Sequence, residues 1–273
     1  MRAALCVLCA LAAGPAAAGE LPLWELGAGV GALALPDYRG SDEGRGYVLP
    51  VPYVVYRGKF LTADRRGIRS ALFDTQRVEL NLSASASLPV NSSRNEARAD
   101  MPDLRPSLEL GPSVEFTLWR SREGRALLEL RLPARAAFTL ESSPENIGWV
   151  ATPNLNLDLA GRGALAGWNF GLLAGPVYGN RRHHEYFYGV APQFATPARP
   201  AFTAPGGYAG LQLLAAASRR FEGFWVGAFV RADTLRDAAF EASPLVKRDT
   251  YFAAGLAVAW ILGTSRERVD APE

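Results

Sequence analysis

Ser107-Leu108-Glu109-Leu110-Gly111-Pro112-Ser113-Val114-Glu115-Phe116-Thr117-Leu118-Trp119 is two sequences interleaved. Its even positions are all apolar, while the odd ones up to Thr117 are small, polar or charged. Alternate residues of a β-strand point to opposite faces, so this stretch predicts a two-faced strand. The pattern recurs at 78–88, where Val78, Leu80 and Leu82 alternate with Glu79, Asn81 and Ser83. It recurs again at 128–138, around Glu129, Arg131 and Arg135, and at 149–159, around Thr152, Asn154, Asn156 and Asp158. Weaker copies lie at 24–35, 47–57, 164–178, 208–218, 224–233 and 251–262.

Two architectures compete for such strands. In a water-soluble sandwich the apolar face is the core; in a membrane barrel it meets lipid and the polar face lines a lumen. Strand length favours the barrel, because segments of 10–13 residues exceed the sandwich mode of about five or six and suit a tilted membrane strand. Aromatic placement agrees: Phe252 and Trp260 bracket Ala254, Leu256 and Val258, a spacing that projects to roughly 20 Å along a tilted strand. Connections also alternate between tight (121–124, 161–163, 219–223) and long (36–46, 141–148, 179–206, 235–248). The predicted fold class is therefore all-β, a single closed antiparallel transmembrane β-barrel. Residues 60–73 supply one strand or two. With both termini in the periplasm the number is even, so twelve strands are expected, ten being the alternative.

Met1-Arg2, a short apolar run and Pro15-Ala16-Ala17-Ala18 have the layout of a secretory signal peptide cut after Ala18. The expected division is a leader at 1–18, an outer-membrane barrel at 19–262 and a periplasmic tail at 263–273. Both cysteines, Cys6 and Cys9, fall in the leader, so the mature chain forms no disulfide. Losing Arg2 takes the charge from +2 to +1, 28 basic against 27 acidic residues, which offers nothing to nucleic acid.

Glu109, Glu115, Glu129, Arg131, Arg135, Asp158 and Arg231, with Asp233 beside them, occupy the polar faces and are expected to line the lumen. A tight turn centred on Arg122 would set Glu109 opposite Arg135, Ser113 opposite Arg131 and Glu115 diagonal to Arg131, a favourable cross-strand pattern. Such ladders usually fill a small barrel, the alternative being a narrow pore. The two histidines, His183 and His184, stand beside Glu185 in a long loop; neighbours in an extended segment face apart and make poor joint ligands, so no metal is expected. No serine and histidine sit in a recognisable catalytic motif, and neither a catalytic centre nor a cofactor is expected. Gly27, Gly29 and Gly31 read as sites of close strand packing rather than phosphate binding, since no helix follows them.

Pro36-Asp37-Tyr38-Arg39-Gly40-Ser41 and the later Pro50-Val51-Pro52-Tyr53-Val54-Val55-Tyr56 resemble the opening of the MipA/OmpV family. Further matches are Glu185-Tyr186-Phe187-Tyr188-Gly189-Val190, Ser243-Pro244-Leu245-Val246 and the closing 255–260. The resemblance implies a non-enzymatic outer-membrane scaffold set among lipid and lipopolysaccharide. Its partners would be a murein hydrolase (a lytic transglycosylase) and a murein synthase (a penicillin-binding protein). It also directs attention to Pro36, Tyr38, Gly40, Ser41, Tyr188, Gly189, Val190, Ser243 and Pro244 as loop motif residues. The family's barrels commonly end on an aromatic, whereas here 263–273 follow the last segment. Three other functions stand beside the scaffold: a small-solute channel with an Arg/Glu-lined lumen, adhesion through Tyr186, Phe187 and Tyr188, and, least supported, a lipid-modifying hydrolase.

Overall fold

The computed structural model describes residues 20–57, 61–64, 67–74 and 77–270, so the expected leader lies outside the described residues. Strands β1 (Glu20–Pro22) and β15 (Arg268–Asp270) form a two-stranded ribbon. The remaining strands make one antiparallel sheet. They are β2 (Trp24–Pro36), β3 (Gly44–Arg57), β4 (Leu61–Asp64), β5 (Gly67–Asp74), β6 (Val78–Ser87), β7 (Ser107–Arg120) and β8 (Ala126–Thr139). After these come β9 (Asn146–Ala151), β10 (Asn154–Ala160), β11 (Trp168–Gly179), β12 (Gly207–Arg220), β13 (Phe224–Thr234) and β14 (Thr250–Thr264). One α-helix, α1 (Arg181–Tyr188), sits between β11 and β12.

β9 and β10 both pair with β8 on one flank and β11 on the other. They are one strand broken at Thr152-Pro153, because proline has no N–H to give the ladder. β14 in turn pairs with β2, so among the described residues every strand of this sheet has a partner on both flanks. Counting the broken strand once, the thirteen strands become twelve. Residues 60–73 supply two short strands, β4 and β5.

Three boundaries differ from expectation. β11 begins at Trp168 rather than 164, because Gly163–Leu165 turn as a short 3-10 helix. β14 runs to Thr264, past the expected barrel end at 262. Within the expected tail at 263–273, Arg268–Asp270 pairs with Glu20–Pro22.

The polarity of the sheet is inverted relative to a soluble protein. Val30, Leu82, Leu110, Leu132, Leu155, Leu172, Val230 and Leu256 are exposed, while Ser113, Glu129, Arg135, Asn156, Asp158 and Asp233 on alternate positions are buried. Exposed aromatics gather at both ends of the strands. Trp24, Trp119, Phe224 and Trp260 lie near the tight turns, and Phe138, Trp149, Tyr178 and Phe252 near the long loops.

β2 approaches β14 closely through its glycines. A Cβ on Gly27 would lie 2.0 Å from the Trp260 carbonyl oxygen, and one on Gly29 2.0 Å from that of Val258. Backbone cannot yield as a flexible side chain can. Gly29→Val should therefore destabilise the sheet by about 2 kcal/mol or more, read as a lower midpoint of urea unfolding, whereas Gly46→Val, with nothing nearer than 4.0 Å, should change it little.

Candidate functional site

The charged residues picked out on β7, β8, β10 and β13 fall into two groups on the buried face. Towards the tight turns, Arg131 stands among three acids. Its Nη2 is 2.6 Å from Glu129 Oε2 and 3.5 Å from Asp158 Oδ2, and its Nε is 3.6 Å from Glu115 Oε2. Towards the long loops, Arg135 Nε is 2.9 Å from Glu109 Oε2, and its Nη1 donates to Ser83 and Thr152 hydroxyls. On β13, Arg231 Nε lies 2.7 Å from Oδ2 of Asp233, two residues along the same face. The expected register needs correction: β7 and β8 pair Glu115 with Arg131, Ser113 with Pro133 and Glu109 with Ala137. The hairpin centre falls one residue beyond Arg122, and Glu109 meets Arg135 diagonally rather than directly.

A third group was missed. Glu25 is wholly buried, held by Arg57 Nη2 and Arg220 Nε at 2.8 Å each. Above it Tyr53, Val55, Trp225, Ala257 and Ala259 pack into an apolar floor at the tight-turn end. The odd parity of Glu25 signals its inward face, but Arg220 lies 195 residues away and no local pattern joins them.

At the other end the long loops fold together into a cap with its own core, which includes Tyr38, Tyr188, Val190, Leu235, Phe240 and Leu245. The family-motif residues meet here. Tyr38 OH donates to the Leu245 carbonyl at 2.8 Å, Tyr188 OH to Arg39 O at 3.0 Å, and Ser243 Oγ to Tyr188 O at 2.7 Å. Gly40 adopts a left-handed φ of +88°, and its carbonyl accepts from Lys247 and Arg248 amides. Asn95 Nδ2 ties Ser41 and Asp37 together. Gly189 closes α1, Val190 bridges to Phe202, Pro36 ends β2, and Pro244 follows the buried Ser243. Tyr188 stacks on Phe240 at 3.7 Å, with Tyr186 and Phe187 packed alongside. Tyr188 is thus buried in the cap, while Tyr186 and Phe187 are half-buried against it, which leaves little of the run free for adhesion.

The histidines lie on a helix, not in an extended segment. Asn180 caps α1 by accepting from the His183 amide at 3.0 Å, a cap that the loop-like composition had hidden. His184 Nδ1 is 2.7 Å from Pro205 O and its ring meets Phe240 edge-on. Among the described residues no group of three or more His, Cys, Asp or Glu is placed to hold a metal ion. Burial, with His184, Arg39 and Arg135 nearby, pushes the His183 imidazole down to about 3. Glu109 Oε1 lies 3.9 Å from His183 Nε2 but its carboxylate is already bound by Arg135. An imidazole held neutral when folded and free to protonate near 6.5 when unfolded costs stability as pH falls through that window, and nothing above it. The cap should thus resist protease at pH 7.5 and lose protection between pH 6.5 and 3, and His183→Gln should flatten that dependence.

No curated protein is matched by this sequence. A family model described as MltA-interacting protein MipA does match, over residues 28–262. That span runs from β2 through the cap loops to the exposed aromatic row of β14, and the chain belongs to the MipA family.

Proposed function

We propose that the chain forms a closed, twelve-stranded barrel of the outer membrane and acts there as a non-enzymatic scaffold for cell-wall enzymes. The carrying observation is the inverted polarity: an exposed band of Val and Leu between two aromatic rows, around a buried Arg/Glu face. Such a surface would aggregate in water and suits lipid. Glu109, Glu115, Glu129, Arg131, Arg135, Asp158 and Arg231 then line the lumen. The described partner of the family, MltA, supports a murein hydrolase as the first candidate for docking, with a penicillin-binding protein as the second. The tight turns at 121–124 and 221–223 would face the periplasm together with the β1–β15 ribbon, which enlarges the small surface the turns provide.

Conduction is the competing function, and packing at both ends speaks against it. Loop residues pack together at one end, and Glu25, Trp225 and their neighbours pack at the other. The purified protein should retain a lytic transglycosylase in pull-down, and lose it when 121–124 and 221–223 are replaced by Gly-Ser; absence of any retained murein enzyme would end the scaffold proposal. In planar bilayers it should give no steady conductance. A stable current altered by Arg131→Ala would move the assignment to a channel.

A further inference from the structure

Between cap and floor the interior holds a cavity of about 350 Å³. That is within the roughly 300–1,000 Å³ range of small-molecule sites. Its charged lining can be summed. Arg135 is neutralised by Glu109, and Asp37 by Arg45 at 3.2 Å. His183 is held neutral by its burial. What remains among the described residues is Arg231 and Arg39, which share Asp233, fully buried behind the lining: Arg231 Nε at 2.7 Å and Arg39 Nη2 at 4.0 Å. One carboxylate serves two guanidinium groups, so the described residues of the chamber carry a surplus positive charge.

The surplus is placed for use. Arg39 spends its Nε on Tyr251 OH. Arg231 reaches Asp233 through Nε, and its terminal nitrogens make no hydrogen bond among the described residues. The two side chains keep 23% and 30% of their surface accessible, and both line the cavity. An uncompensated cation in a partly buried space is costly, and a planar fork of N–H donors matches a carboxylate. The lining also carries an aromatic group, Phe187, Phe229 and Phe240, among aliphatic and small polar residues.

We infer that this chamber is a binding site for a small monoanionic organic acid, its carboxylate between Arg39 and Arg231 and its ring or apolar body against the aromatic wall. A dianion would overshoot the single surplus charge, and an inorganic ion would leave the aromatic wall without contact. Phe187, Tyr188 and Phe240 of the cap also line this chamber, so a bound acid should hold the cap closed over it. The site does not depend on the docking of cell-wall enzymes and can fail or stand independently of it.

The test uses the full protein refolded in detergent, titrated by calorimetry with sodium benzoate and with benzamide, which has the same shape without the charge. Saturable benzoate binding at least about tenfold tighter than that of benzamide is expected. Arg231→Gln should abolish that preference, and benzoate should slow protease cleavage of the cap in the wild-type protein. Equal binding of the two probes, or no saturable binding of benzoate, overturns the inference; because this comparison is made on the wild-type protein, a variant that fails to fold does not affect it.

Discussion

A backbone amide or carbonyl taken out of water must find a partner, and a hydrocarbon surround supplies none. A sheet meets that demand when its first and last strands also pair. Here β14 lies along β2 through registered partners from Ala254↔Ala34 to Thr264↔Glu25. Everything else follows from that seam. The described ladder is thin only where β3 meets β4, at Tyr56 and Arg57, and where β6 meets β5; elsewhere both flanks are occupied, and the sequence sends Leu and Val outward and Ser, Arg and Glu inward. The glycines of β2 belong to the same requirement, because they let its backbone close on the carbonyls of β14.

The interior is occupied in layers whose chemistry differs. Glu25 with its two arginines and the Trp225 cluster fill the tight-turn end. Arg131 and its three acids come next, with an excess of negative charge. The Arg135–Glu109 pair and the two-arginine arrangement at Asp233 lie beneath the cap, with the opposite excess. The cap then adds a second core, in which loop tyrosines whose hydroxyls bond loop carbonyls pack on inward-facing strand residues such as Val150, Val177 and Tyr251.

How much of this could be read in advance depended on the range of the signal. Two-residue alternation is local, so the strands around Leu110, Leu132 and Leu256 and their inward-facing charges were visible in the sequence. The pairing register was less so, because one residue's shift in the hairpin centre moved Glu109 from opposite Arg135 to its diagonal. Helix α1 was hidden by its brevity and by a histidine-rich, weakly apolar composition, although Asn180 and the spacing of His184 and Tyr188 were signs of it. The cap core was beyond local reading: Tyr38 and Leu245 are 207 residues apart. The family motifs marked the same residues without saying why they matter, and their convergence in one packed cluster supplies the physical reason.

The ribbon of β1 and β15 has a topological consequence. Glu20 and Asp270 are opposed across a single rung of that ribbon, so the described polypeptide runs almost as a ring. A short peptide joining those two ends, with new termini opened at 121–124, would preserve every strand pairing of the large sheet while changing which hairpin emerges first. Sequence order and spatial order would then be separable in this molecule, and the order in which strands meet during assembly could be varied without altering the finished fold.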